Sequence, residues 1–160
     1  MVKKIAILTS GGDAPGMNAA VRFCVRAGLA KGKEMYVVYD GYKGLVEGDI
    51  HQVTKEFTAD IINRGGTIIR SARLPEFKDP VIQKRAIQQL HDFEIDALIG
   101  IGGDGTYKGL RDLSNLKEGE DNYSWSLSIA QDLRLVKSSR TSSKLPISKR
   151  LLCSLKPLVC

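Results

Sequence analysis

Residues 95–107 read IDALIGIGGDGTY, an apolar run that breaks into four glycines, Gly100, Gly102, Gly103 and Gly105, around one carboxylate, Asp104. Ile95 to Ile101 has the length and β-branched content of a strand buried on both faces. The glycines after it let backbone N–H groups approach a ligand with no Cβ in the way. Thr106 opens a predicted helix, so the positive end of its dipole points into the same turn. Strand, glycine turn and helix start together describe a site for phosphate.

Asp104 narrows the chemistry. Gly100-x-Gly102-x-x-Gly105 matches the dinucleotide fingerprint, with Glu120 or Asp121 loosely where a ribose-binding acid falls. An aspartate inside a pyrophosphate cradle repels the ligand unless a divalent cation lies between them. Magnesium with a nucleoside triphosphate therefore fits better than a bare dinucleotide. A purely structural alternative makes Asp104 the cap of a tight strand-to-helix turn.

The amino terminus repeats the device. Lys4–Thr9 (KIAILT) reads as a buried strand, ends in Ser10-Gly11-Gly12-Asp13, and leads into a helix predicted over Ala19–Lys31. In a parallel sheet both turns lie at the carboxyl ends of the strands, the edge where ligands bind. Arg22 and Arg26 share one face of that helix, and from the residues alone they read as a solvated basic face. Met35–Asp40 is a further strand. The loop after it, Gly41-Tyr42-Lys43-Gly44-Leu45, brings Tyr42 near the same edge, either to stack on a base or to cover the loop's apolar underside. Lys55–Asn63 reads as a short helix stopped at Gly65-Gly66, and Thr67–Ser71 as extended. Arg70 and Arg73 then suit phosphate oxygens. The spacing predicts a helix over Val81–Phe93, with Val81, Ile82, Ala86, Ile87, Leu90 and Phe93 facing the core and Gln83, Lys84, Gln88 and Asp92 in water. Strand and helix alternate throughout, which predicts an α/β fold with a doubly wound, mainly parallel sheet.

Composition excludes several functions. At 160 residues the chain is long enough for one α/β domain. No apolar run approaches the roughly 20 residues that cross a bilayer, and the apolar run after Lys3-Lys4 is too short for a signal peptide. Cys24, Cys153 and Cys160 are scattered without metal-ligand spacing, which fits a reducing cytoplasm. His51 and His91 read as solvated or loosely packed imidazoles. The net charge is +6, but seven basic residues and no acid lie beyond Leu133, which leaves about −1 for residues 1–132. That balance gives no electrostatic footprint for nucleic acid.

LTSGGDAPGMNAAVR at 8–22, YDGYKGL at 39–45, INRGGTIIRSAR at 62–73 and IGGDGTY at 101–107 together resemble the amino-terminal part of bacterial ATP-dependent 6-phosphofructokinase, over Met1 to about Leu110. GGDGT alone is shared with NAD kinases and diacylglycerol kinases; SGGDAPGMNAAVR narrows the choice. The resemblance implies a glycolytic kinase that transfers the γ-phosphoryl of MgATP to the 1-hydroxyl of fructose 6-phosphate. It implies ATP contacts at Gly12, Tyr42, Arg73, Leu74, Gly103, Asp104, Gly105 and Thr106, with Arg73 stabilising the transferring phosphoryl group and Asp104 carrying Mg2+. Pyrophosphate-using relatives typically have aspartate where this chain has Gly105, so glycine points to ATP. Arg22 and Arg26, with Lys55 and Asp60, fall where the family binds an allosteric nucleotide at a subunit interface. Lys55 stands where an arginine is usual and lacks the bidentate fork. The family forms homotetramers; whether this chain does so is left open.

Past about Leu110 the pattern changes. Fifteen of the 16 glycines lie at or before Gly109, whereas ten serines lie between Ser114 and Ser154. Residues 111–160 read as a basic, serine-rich tail outside the resemblance, disordered or out of frame, with Val136–Lys156 lacking periodicity. The PGTIDND-type motif, whose first aspartate is the family's general base, is missing, and Asp132 has none of its neighbours. The sugar-phosphate residues are missing too, so the chain is expected to be inactive alone. The alternative is a non-catalytic nucleotide-binding or regulatory module whose tail docks elsewhere. Translating the other two reading frames of the gene beyond codon 110 is expected to recover a PGTIDND-like continuation; its absence from both frames counts against a lost frame.

Overall fold

The computed structural model of the chain describes residues 2–116 and 126–131. Its strands are β1 (Lys4–Ser10), β2 (Glu34–Val38), β3 (Ile50–Val53), β4 (Ala97–Gly102) and β5 (Ser126–Gln131); its α-helices are α1 (Gly16–Ala30), α2 (Gly41–Glu47), α3 (Pro80–Asp92) and α4 (Asp104–Asn115). They form one sheet in the order β3-β2-β1-β4-β5. Every neighbouring pair is parallel except β2 with β3. This is the doubly wound, mainly parallel α/β fold that the alternation predicts. α4 and β5 carry the described structure past residue 110. Val136–Lys156, expected to be aperiodic, lies outside the described residues. Among the described residues no helix is long and apolar enough to cross a membrane.

The period-2 alternation of each central strand divides the core in two. Ala6, Leu8, Tyr36, Val38 and Leu98 point to one face, where Leu45, Ala86, Leu90, Leu110 and Leu113 of α2, α3 and α4 cover them. Ile5, Ile7, Met35, Val37, Ala97, Ile99 and Ile101 point to the other, under Met17, Val21 and Val25 of α1 with Ile61 and Ile69. Gly100 interrupts the first set for a reason. A Cβ there would stand 2.4 Å from Leu110 Cδ1, so glycine lets α4 lie close against β4.

Several local expectations change. The segment read as a helix over Lys55–Asn63 is two short 3-10 turns, Glu56–Thr58 and Ile61–Asn63, because Asp60 between them takes a left-handed φ of 52°. Gly41–Glu47, read as a loop, is helical. Thr67–Ser71 is not extended: Arg70 N–H donates back to Thr67 O at 3.1 Å, closing a turn, with Arg70 at φ 56°. Burial of Ile69 and the bond from Asp40 N–H to Ile69 O hold that turn. On α3, Val81 is 60% exposed and Gln83 is buried, the reverse of the helical pattern. The reason is polar: Gln83 Nε2 donates to Phe77 O at 2.7 Å, satisfying a backbone carbonyl that a further 3-10 turn, Pro75–Lys78, leaves inside.

A buried asparagine ties α1 to the loop that follows the 3-10 turns. Asn18 Nδ2 donates to Arg64 O at 3.0 Å, and its Oδ1 accepts from Ile68 N–H at 2.8 Å. Asn18→Leu keeps the branched shape and strands both backbone groups, each costing about 1–3 kcal/mol. Denaturant unfolding of the variant is expected to show a loss of about 2–4 kcal/mol; a loss under 1 kcal/mol would mean that water replaces the amide.

Candidate nucleotide-phosphate site

β1 and β4 are adjacent and in register from Ile5 opposite Ala97 to Ser10 opposite Gly102. Both therefore deliver their glycine turns to the same edge. From there the chain leaves in opposite directions, through α1 over one face and α4 over the other. That divergence is a topological switch point, the place where open α/β sheets have a crevice beyond the carboxyl ends of their strands.

The two turns touch. Thr106 Oγ1, on the first turn of α4, donates to Ser10 O at 3.1 Å in a buried bond. A Cβ on Gly102 would lie 2.1 Å from Ser10 O and 2.3 Å from Thr106 Oγ1, so this close approach requires glycine. Ser71 Oγ donates to Gly11 O at 3.0 Å and Thr9 Oγ1 to Arg70 O at 2.8 Å, which draws the Arg70–Arg73 segment to the same edge.

Gly12, Gly103 and Gly105 are different. A Cβ on any of them would meet nothing within 4 Å, and all three are exposed. Packing does not demand glycine there; the absent side chains leave open surface around backbone amides. Tyr107 N–H donates to Gly103 O at 3.2 Å, closing the first turn of α4. The amides of Asp104, Gly105 and Thr106 precede that ladder and face outward at the positive end of the helix. Gly103 is the cap residue and Asp104 the first residue of the helix. Its carboxylate is 78% exposed and pairs with Lys108 Nζ at 2.9 Å. Asp13 on the other turn is exposed too, with its carboxylate against the backbone of Gly66.

The remaining residues from the sequence divide into surface and support. Arg73 is exposed on the segment that Ser71 anchors. Leu74 is half-buried against the α2–α4 side of the core. Tyr42 lies beneath the site: its ring stacks on Phe77 at 4.2 Å between centroids, packs against Gly109, and its hydroxyl donates to Thr106 O at 2.6 Å. Of its two sequence readings, this is the one that covers an apolar underside. Burial pushes its hydroxyl pKa well above the usual tyrosine range, with the Asp112 carboxylate adding to the rise. Arg70 pairs with Asp40 at 3.1 Å and lies over the Tyr39 ring.

Arg22, Arg26 and Lys55 meet at one residue, and Asp60 lies two positions beyond it. Arg22 Nη1 donates to Thr58 O and Arg26 Nε to Thr58 Oγ1 at 3.0 Å, while Thr58 Oγ1 donates to Lys55 O at 2.8 Å. Thr58 is buried and had no signal in the sequence beyond its place between Lys55 and Asp60. Nearby Cys24, with its thiol pushed up to about 11 by burial, is a packed side chain rather than a nucleophile.

An open, mainly parallel sheet with glycine turns and outward amides on both sides of its switch point defines an α/β domain of the kind that holds ligands at its carboxyl edge. A family model described as "Phosphofructokinase" matches residues 4–141. The chain is 53% identical over 116 residues to the ATP-dependent 6-phosphofructokinase of Edwardsiella ictaluri, covering 72% of this chain and 36% of that one. It is 57% identical over 111 residues to the enzyme of the same name from Actinobacillus succinogenes, covering 69% and 35%. The fold superposes on Pichia pastoris phosphofructokinase in the T-state with a TM-score of 0.77 and 34% identity, over 82% of this chain and 16% of that chain. The chain belongs to the phosphofructokinase family. It spans about a third of the length of these curated relatives.

The buried Tyr42 hydroxyl makes stability depend on alkaline pH. Its folded pKa is raised, so its contribution is full below the unfolded value of about 10 and is lost as pH rises beyond that. Unfolding free energy is expected to fall above about pH 10, and Tyr42→Phe to fall less steeply while losing about 1 kcal/mol at pH 7. Equal slopes for the two proteins would show that this hydroxyl titrates alike in both states.

Proposed function

We propose that this chain forms the nucleotide side of an ATP-dependent 6-phosphofructokinase, the enzyme that phosphorylates fructose 6-phosphate to the 1,6-bisphosphate in cytoplasmic glycolysis. The observation that carries the reading is the open cradle. Gly12, Gly103 and Gly105 lack side chains where the protein itself has no need of the space, beside a carboxylate exposed at a helix N-terminus.

The residues fit magnesium that arrives with its nucleotide. Magnesium keeps several waters and takes one or two carboxylates plus substrate phosphates, and Asp104 offers one such carboxylate in the open. Among the described residues no group of three or more His, Cys, Asp or Glu could cage an ion alone. Asp104 would hold the ion, and the ion would supply charge neutralisation at the β- and γ-phosphates. The amides of Gly12, Gly103, Gly105 and Thr106 orient phosphate oxygens. Arg73 supports the transferring group with a planar, permanently charged fork. Tyr42, Leu74 and the Thr106 hydroxyl hold the cradle from below. Gly105 leaves room for the larger donor, in line with ATP rather than pyrophosphate.

No PGTIDND-type motif occurs in these 160 residues, so the chain by itself binds MgATP and does not turn over at an appreciable rate. Loss of a general base alone removes about 10²–10⁴ in rate. Arg22, Arg26 and Lys55 at Thr58, with Asp60 two positions on, would form the effector contact, and assembly into a homotetramer would complete it. We place the boundary of the nucleotide unit near residue 110, with the basic tail beyond it.

Calorimetric titration of the full chain with MgATP is expected to show binding that Asp104→Ala weakens by about tenfold or more and renders insensitive to magnesium. Gly105→Asp, which the open space accommodates, is expected to abolish ATP binding and leave the melting temperature unchanged. A fructose 6-phosphate phosphorylation assay on the same preparation is expected to show no turnover. Binding that ignores both substitutions would refute the site.

A further inference from the structure

The ion pair at the mouth of this site contains a residue that the reading above does not use. Lys108 lies one turn into α4, and its side chain runs back toward the helix N-terminus, as helical side chains do. Its ammonium reaches Asp104 Oδ2 at 2.9 Å, with the side chains 61% and 78% exposed. Gly105, three residues before Lys108, shares that helix face, and the space over it is open.

This is an awkward place for a cation. The first turn of a helix carries the positive end of the dipole, which favours anions and repels ammonium groups. Asp104 offsets that repulsion while its carboxylate is free. When a divalent cation takes the carboxylate, the ammonium loses its counter-ion and faces two positive fields. The next basic side chain of the helix, Arg111, lies seven positions from Asp104 and pairs with Asp112 at 3.4 Å, so Lys108 is the helix cation beside the carboxylate. An exposed i,i+4 pair is weak enough to break readily, and the lysine stem is long and free to turn.

We propose that Lys108 is a phosphate-binding residue of the same site: its ammonium leaves Asp104 as the metal arrives and moves onto the polyphosphate that the metal brings. The inference rests on the nucleotide reading of the site. It adds a ligand contact and an exchange of partners: carboxylate with ammonium before binding, carboxylate with metal and ammonium with phosphate after it. No covalent bond changes. The class of ligand it recognises is a chain of two or more phosphates, because the exchange requires negative charge beyond the phosphate nearest the ribose.

The test measures binding of ATP, inorganic tripolyphosphate and AMP to the full chain by calorimetry, with magnesium and with chelator. The variants are Lys108→Met and Lys108→Arg, each checked by thermal melt. Lys108→Met is expected to weaken ATP and tripolyphosphate by about tenfold, the scale of one charge-assisted hydrogen bond. AMP should change less than about twofold on that scale. The dependence of ATP affinity on salt should become shallower, and Lys108→Arg should restore most of the affinity. Unchanged or tighter MgATP binding by Lys108→Met would show that the lysine is only a counter-ion of Asp104 and overturn the proposal alone. Equal weakening of AMP would overturn the assignment to polyphosphate. Failure of the wild-type chain to bind MgATP would overturn the nucleotide reading and this inference together.

Discussion

Two adjacent parallel strands, β1 and β4, send their following helices over opposite faces of the sheet. That constraint decides the geometry of the site. β1 cannot hand its chain to α1, and β4 to α4, without leaving an opening between the two turns. The buried bond from Thr106 Oγ1 to Ser10 O at 3.1 Å fixes the width of that opening. It forms because Gly102 lets the two backbones approach to a distance that a methyl group would prevent. Without this contact the amides of the Gly12 turn and the α4 N-terminus would be two unrelated groups of exposed donors.

The layers beneath keep the opening in place. Gly100 lets Leu110 settle against β4, Tyr42 braces Thr106 from below, and Asn18 holds the Arg64–Ile68 loop against α1. Each of these polar groups is buried and paired, which makes their positions specific in a way that apolar packing alone does not. Above them the surface is bare backbone with an exposed carboxylate on each turn, Asp13 and Asp104, the second paired with Lys108. Rigid, satisfied contacts below and unencumbered amides above are the arrangement that phosphoryl chemistry uses, because positioning and electrostatics do most of the work there.

Where sequence reading departed from the structure, the departures share a cause. Period-2 and period-3.6 patterns report which side chains are apolar; they do not report which backbone groups remain unpaired. Gln83 is inside because Phe77 O needs a donor, while Ala86 and Leu90 keep the core positions that the pattern gives them. The Thr67–Ser71 segment looks like a strand by composition, yet it turns because Asn18, Asp40 and Thr9 each bond to its backbone from elsewhere in the chain. β3, four residues long with an exposed His51 and Gln52 in its middle, carried no periodic signal strong enough to notice. Thr58 joins the arginines of α1 to Lys55 through bonds spanning 32 to 36 positions, a distance over which spacing says nothing.

The amino-acid sequence on its own determined the α/β alternation, the two buried strands that end in glycines, and the presence of a carboxylate in each turn. These are local properties, set by side-chain period, glycine and helix polarity. Which turns adjoin, which glycines are needed for packing and which leave open surface, and that Lys108 sits on Asp104 were decided only by the tertiary structure. They depend on strand order and on hydrogen bonds between residues far apart in the chain, and such contacts exist only once the sheet has brought them together.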